Sequence, residues 1–317
     1  MKKKIIILKP RLDIPFKKID NVPEKKGKIS NLRQFYYGFI YKIKKKYNSD
    51  ENLIEIIEKP QWQFNKDFVK SLDFDEIYIP HHCFKTFDQK RELKNVKYYM
   101  QMVFPWLFQV DPEGWCADAS VWPIMPAKET NGKIFNFYRK LAISGESKFI
   151  QPKRQNLIFN KKFILFLCQI PHDQTIKLHS DISVKDALLK TIEMSKDLKL
   201  QLVVKPHPVN IQSMEPLLTI VEEAIDDGKN IFLAKDANIH DLIDKSEAVF
   251  SVNSGGGMEA LLHNKPVFCF GRADYASVSH FVEDKLEWDN RNKYIPDYPK
   301  FFEAYHNMMV NTGNINL

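Results

Sequence analysis

Between Glu247 and Tyr275 the chain reads EAVFSVNSGGGMEALLHNKPVFCFGRADY, and the residues in its middle are of the types that bind a phosphate. Asn253, Ser254, Gly255, Gly256 and Gly257 make a small-residue turn ahead of a helix. Such a turn leaves the first backbone N–H groups of the helix unpaired and converging, and glycines let an anion come close to them. Ser254 adds a hydroxyl for the phosphate, and Glu259, one turn into the helix, can accept hydrogen bonds from ribose hydroxyls. A second cluster is Lys205-Pro-His-Pro208. His207 is held between Pro206 and Pro208 beside Lys205, so it can donate to a phosphate and stabilise a leaving group. A third polar stretch runs from Gln169 to Ser180. A fourth, Val110 to Ser120, interleaves Asp111, Glu113 and Asp118 with Trp115, and Trp122 follows. Aromatic rings stack on the apolar faces of a sugar while acids bind or deprotonate its hydroxyls. The plain alternatives are a corner of an α/β fold for the glycines and a structural turn for the acids.

The elements that must position these groups are clearest from Lys162 onward. Phe163–Gln169, Leu200–Val204, Asn230–Ala234, Ala248–Val252 and Val267–Phe270 read as strands. Between them, Val184–Leu198, Ile211–Ile225, Ile239–Lys245 and the segment opening at Met258 read as helices. Strands alternating with helices give right-handed βαβ units and a parallel sheet. Ligands of such sheets lie beyond the carboxyl ends of the strands, where the Gln169, Lys205 and Asn253 clusters all fall. Nearer the start, Lys4–Leu8 and Glu76–Ile79 read as strands, and Ser30 as the N-cap of a helix with Phe35, Phe39 and Ile43 on one face. His81 and His82 are adjacent on extended chain and point apart, so they make a poor metal chelate. Asp73 and Asp75 precede a strand and belong at the wrong end of the sheet for a ligand. The Val110–Ser120 loop is too rich in Pro and Gly for regular structure, and the basic, polar Ser147–Asn160 reads as an interdomain linker. The division expected is 1–150, 151–290 and a tail, 291–317, packing back toward the first domain.

A net charge of +7 favours phosphates, anionic lipid or nucleic acid as partners. The basic residues are dispersed and no nucleic-acid-binding motif is present, which argues against the last. Lys42, Lys44, Lys45 and Lys46 cluster at a helix end, where they complement its dipole or meet an anionic membrane surface. Cys83, Cys116, Cys168 and Cys269 are widely spaced, suggesting free thiols rather than a zinc site or disulfide framework. No apolar run approaches the ~20 residues of a membrane span, so a cytoplasmic protein is expected.

The motifs KPHP at 205–208, NSGGGMEALLHNKPV at 253–267 and Gly271-x-x-x-Tyr275, with Gln169-Ile-Pro171 and His179-Ser180 before them, resemble one family. It is that of the bacterial capsule polysaccharide synthesis glycosyltransferases, including the retaining β-Kdo transferases. More loosely the chain resembles the bacterial sialyltransferases with an HP motif, and Pro112-Glu113-Gly114 departs from their acidic motif by a proline. The resemblance implies an α/β fold of GT-B type, two Rossmann-like domains facing a central cleft, with the acceptor in the first domain and the nucleotide sugar in the second. It implies transfer of Kdo or another acidic sugar from a CMP-linked donor to a capsule or lipopolysaccharide acceptor, a glycan or glycolipid, without metal or cofactor. Donor contacts would come from Gln169, Lys205, His207, Pro208, Asn253, Ser254, Gly255, Gly256, Gly257 and Glu259, and acceptor or sugar contacts from Trp115 and His179. Catalysis would fall to His207 and to Glu113, Asp111 or Asp118, as nucleophile or as base. A phosphotransferase using CDP-glycerol or CDP-ribitol, and a non-catalytic binder of anionic glycans, are the alternatives. A cytoplasmic location with peripheral contact at the inner membrane follows.

Overall fold

The computed structural model describes residues 2–11, 28–47, 51–120, 129–145, 147, 149, 151–155, 157–208, 211–282 and 286–312. Trp122 lies outside them. The chain forms two compact units, Met1–Trp122 with His306–Asn316, and Pro123–Tyr305. The division therefore falls near residue 122, and the described residues 129–145, 147 and 149, expected in the first domain, belong to the second unit.

In the first unit β1 (Lys3–Pro10), α1 (Lys28–Lys46), β2 (Asn52–Lys59), α2 (Lys66–Lys70), β3 (Glu76–Pro80), α3 (Phe84–Phe87), β4 (Val96–Gln101) and β5 (Leu107–Asp111) follow in order. β2, β1, β3 and β4 are parallel neighbours, and β5 runs antiparallel beside β4. Alternation in β1 sends Ile5 and Ile7 to one face, against Tyr36, Phe39, Ile40 and Ile43 of α1, and Ile6 and Leu8 to the other, against Phe64, Val69 and Phe87. His81, at φ 58°, turns its ring toward the Tyr36 hydroxyl at 3.3 Å. His82 packs on Phe87, so the adjacent histidines diverge as expected. Asp75 accepts from the Lys4 backbone N–H at the amino end of β1.

The second unit contains α4 (Lys133–Ile143), β6 (Phe163–Leu167), α5 (Gln174–His179), α6 (Val184–Asp197), β7 (Gln201–Lys205), α7 (Glu215–Asp226), β8 (Ile231–Leu233), α8 (Ile239–Lys245), β9 (Ala248–Ser251), α9 (Gly255–Leu262), β10 (Val267–Cys269), β11 (His280–Phe281) and α10 (Tyr298–Asn307). All six strands are parallel, in the spatial order β8-β7-β6-β9-β10-β11. Counted from β6 this is 3-2-1-4-5-6, the Rossmann order, whose switch point lies between β6 and β9. FILFL in β6 is buried on both faces, which is why the strands read as unbroken apolar runs. Ile164, Phe166, Leu202, Val204 and Phe250 share one core with α6 and α7. Finally β12 (Val310–Asn311) returns to the first unit and pairs with β5. The two Rossmann-like units agree with the expected α/β fold class.

Candidate functional site

The crevice between β6 and β9 is closed by an amide pair. Gln169 Nε2 donates to Asn253 Oδ1 at 2.8 Å, and Asn253 N donates to Gln169 Oε1 at 2.8 Å. Asn253 Nδ2 donates to the carbonyls of Thr175 at 2.9 Å and Arg272 at 3.3 Å. Both side chains are buried, so their capacity goes into fixing the loops rather than into meeting a nucleotide, contrary to the role expected of them. Asn253→Ala should lower stability by about 2–3 kcal/mol, because it strands the Gln169 amide and two carbonyls. Urea denaturation checks it, and an unchanged midpoint would refute the clamp.

α9 begins at Gly255 rather than Met258, so the glycines are its first turn. Ser254 is the N-cap: its Oγ accepts from Gly256 N at 3.1 Å, and its hydroxyl hydrogen stays available to an anion. A Cβ at Gly256 would lie 2.6 Å from Leu167 Cδ1, and one at Gly257 would lie 2.2 Å from the Tyr275 hydroxyl. Two of the three glycines thus answer to packing, while Gly255 is exposed, Gly256 half-buried and Gly257 buried. Glu259 follows Gly255 by four residues and shares its helix face. Burial raises its carboxyl to about 7, against the opposing hydrogen bond from Ser147.

At the end of β7, His207 and Pro208 are half-buried, and the His207 ring lies edge-on to Phe149 with centroids 5.1 Å apart. Lys205 is buried and donates to the Lys235 carbonyl at 3.0 Å, so its ammonium ties β7 to the residues after β8 instead of reaching into the crevice. Burial lowers its pKa, with Asp236 opposing. His179 ends α5 with its ring fully enclosed, which gives a sugar no face to touch.

Residues that the sequence reading left in a linker belong to this unit. Ser147 Oγ donates to Glu259 Oε1 at 2.5 Å. Further along, Ile239 N donates to Gln151 Oε1 at 3.3 Å, Asn238 Nδ2 to the Pro152 carbonyl at 2.8 Å, and Arg154 to Asp241 at 2.6 Å and Asp244 at 2.7 Å. Asp244 also pairs with His263, which meets His240 at 3.0 Å, joining α8 to α9. Burial raises the Asp244 carboxyl, but His263 and Arg154 outweigh it and hold the group at about 2. Ser147 and Glu259 are 112 positions apart, a separation at which no local pattern signals the contact.

The acidic loop is in the first unit, and each acid is engaged there. Asp111, level with Tyr98 in the middle of β4, accepts from Glu113 N at 2.7 Å, Gly114 N at 3.3 Å, and Ser120 N and Oγ at 3.0 and 2.7 Å. It organises the turn. Asp118 pairs with Lys85 at 2.7 Å, and Glu113 takes two bonds from Arg91 at 2.9 and 2.7 Å. The Glu113 side chain keeps 27% exposure, against 3% for Asp118. Trp115 is buried and offers no ring for stacking, which corrects the expected sugar contact. Among the described residues no group of three or more His, Cys, Asp or Glu could hold a metal ion, and no helix is long and apolar enough to cross a membrane. All four cysteines are free and buried.

A family model described as capsule polysaccharide biosynthesis protein matches residues 127–317. The chain is 26% identical over 186 residues to the capsule polysaccharide export protein KpsS of Escherichia coli, covering 57% of this chain and 47% of KpsS. It is 22% identical over 162 residues to the capsule polysaccharide modification protein LipB of Neisseria meningitidis serogroup A, covering 49% and 38%. The matches span less than half the length of either relative. Among solved structures it is similar to the beta Kdo 2,7 transferase of Thermosulfurimonas dismutans KpsC, with a TM-score of 0.53 at 15% identity over 95% of this chain and 90% of that one. It is also similar to the beta Kdo 2,4 transferase of the same KpsC, with a TM-score of 0.51 at 16% identity over 79% and 83%. These two likenesses support the fold.

Proposed function

The chain belongs to the capsule polysaccharide biosynthesis protein family, and from that premise we propose that it is a glycosyltransferase moving Kdo or another acidic sugar from a CMP-linked donor to a surface-glycan acceptor. The observation that carries this reading is the Rossmann switch point, where the Ser254-capped start of α9, Gly255 and Glu259 stand in one row beyond the carboxyl end of β9. The α9 terminus and the Ser254 hydroxyl would meet the donor phosphate, and Glu259 the ribose. His207 would donate as the bond between the sugar's anomeric carbon and the phosphate oxygen breaks and charge builds on departing CMP. No metal or cofactor is needed in this scheme.

We assign the carboxylate of the reaction to Glu113, because it is more exposed than Asp118 and, unlike Asp111, is not spent on backbone donors. The exposed Lys42, Lys44, Lys45 and Lys46, with Tyr37 and Tyr41 on the same helix, are the surface we assign to a cytoplasmic membrane leaflet carrying a glycolipid acceptor.

The test is a donor screen of CMP-, CDP- and UDP-linked compounds with and without glycan acceptor. Release of CMP only when acceptor is present is expected, and Glu113→Gln should abolish it while CMP binding persists. Turnover of CDP-glycerol or CDP-ribitol instead would make the protein a phosphotransferase. Full transfer by Glu113→Gln would remove Glu113 from the chemistry.

A further inference from the structure

We infer that Arg272 binds the carboxylate of the donor sugar, and that the donor is a sugar acid whose carboxylate is carried on the anomeric carbon. The inference deepens the proposed donor site and rests on it.

The loop after β10 is fitted to the start of α9. Phe270 N donates to the Ser251 carbonyl at 3.0 Å and Gly271 N to the Val252 carbonyl at 2.8 Å, so the chain continues beside the residues that lead into Ser254. A Cβ at Gly271 would lie 2.9 Å from Val252 Cγ1 and 3.0 Å from Ser180 Cβ, and this close approach takes glycine. Arg272 N donates to the His179 carbonyl at 2.7 Å, and the Arg272 carbonyl accepts from Asn253 Nδ2 at 3.3 Å. Three residues on, the Tyr275 hydroxyl donates to the Ser254 carbonyl at 2.5 Å. The backbone of Arg272 is thus pinned to the residue that precedes the N-cap of α9.

The side chain is held far less firmly. Its guanidinium donates to Asp181 at 3.3 Å and to the Leu178 carbonyl at 3.2 Å, both longer than the ~2.7–2.9 Å of a strong charge-assisted bond. The Asp181 side chain is 93% exposed and that of Arg272 49%, and an ion pair so open to water contributes little. A guanidinium carries about five N–H donors, and among the described residues only these two contacts draw on them. A fixed backbone under a loosely held cation is the arrangement of a residue placed to meet an anion.

Charge and chemistry say which anion. A CMP-linked sugar bears one negative charge on its phosphodiester, and the α9 terminus, Ser254 and His207 are the groups proposed for it. Lys205 is committed to the Lys235 carbonyl, so the carboxylate of an acidic sugar needs another cation. In a 2-keto sugar acid the carboxylate and the phosphate oxygen are attached to the same anomeric carbon, so that cation has to stand beside the phosphate site. Arg272, bonded to Asn253, has that position. A uronic acid carries its carboxylate on the far side of the ring and does not meet this condition.

The test is a cycle that pairs the residue with the charge of the ligand. Calorimetric titrations compare CMP, CMP-N-acetylneuraminate, CMP-Kdo and the methyl esters of the two sugar nucleotides on the unaltered protein and on Arg272→Gln. For the sugar nucleotide that binds more tightly, esterification should weaken binding to the unaltered protein about 10-fold and change binding to Arg272→Gln by less than about twofold. CMP itself should bind both proteins alike. Arg272→Lys, with the charge but not the planar fork, should keep part of the preference for acid over ester. Asp181→Asn, which takes away only the surface partner, should keep all of it. An unchanged preference in Arg272→Gln, whatever its thermal midpoint, would reduce the arginine to a cap on the carbonyls of α5 and overturn the inference. Binding of CMP with neither sugar acid bound would overturn it as well, and in both cases the nucleotide site stands. If neither CMP nor either sugar nucleotide binds the unaltered protein, the donor-site reading itself fails and the role of Arg272 falls with it.

Discussion

Gly257→Ala is expected to lower the thermal midpoint by about 6–12 °C, while Gly255→Ala leaves it within about 2 °C of the unaltered protein. The two positions differ in what a methyl would meet. At Gly257 it would lie 2.2 Å from the Tyr275 hydroxyl and 2.5 Å from Cζ of the same buried ring. That ring cannot yield easily, because Tyr275 is 1% exposed and its hydroxyl donates to the Ser254 carbonyl at 2.5 Å. Overpacking of this kind costs about 3 kcal/mol, and it would also spoil the helix start. Gly255 is exposed, and alanine is the better helix former by about 1 kcal/mol, so the fold should tolerate it. In the proposed donor site its methyl would stand where the phosphate approaches, and CMP affinity should fall. Differential scanning calorimetry and CMP titration on the two variants separate packing from binding. An unshifted midpoint for Gly257→Ala would show that Tyr275 does not hold this turn, and full CMP affinity in Gly255→Ala would place the phosphate elsewhere.

A large effect on rate is also expected from His207→Ala. Removing a donor that acts on charge developing in the transition state typically costs about 100-fold or more in turnover. His207 sits at the carboxyl end of β7, one strand from the switch point, and is half-buried, so its ring is both placed and reachable. CMP binding should change much less, because most of the gain arises only as the leaving group forms. Measuring turnover and CMP affinity on one preparation decides the matter. Near-normal turnover would mean that His207 is structural.

The second sheet is legible in the sequence because each of its central strands is buried on both faces and stands between amphipathic helices. β2 and β5 escape the same reading for opposite reasons. β2, NLIEIIEK, is an edge strand with exposed residues through its middle, and β5 runs straight into Asp111 and a Pro-Gly loop that looks irregular throughout. The start of α9 is misplaced by three residues because glycine is a poor helix former, and only Leu167 and Tyr275, packed over it, explain why glycine is required. Chemistry-bearing residues are visible by type, but their engagement is not. Nothing near Asp118 in sequence announces Lys85, 33 positions earlier, and nothing near Glu113 announces Arg91, 22 positions earlier. Loops are tied by partners of this kind, so a polar stretch such as Ser147–Asn160 looks like a linker until the aspartates of α8 are seen to hold Arg154.

The return of β12 to the first unit has a consequence for how the chain is made. Val310 and Asn311 pair with Phe108 and Leu107, and Thr312 donates to the Trp106 carbonyl at 2.9 Å and 2.8 Å through its amide and hydroxyl. The antiparallel edge of the first sheet is therefore covered by residues synthesised after the whole of the second unit. During translation the second unit, continuous from Pro123 to Tyr305, can fold as soon as it emerges. The earlier-made unit has to wait with β5 uncovered, a strand edge open to mispairing with other nascent chains.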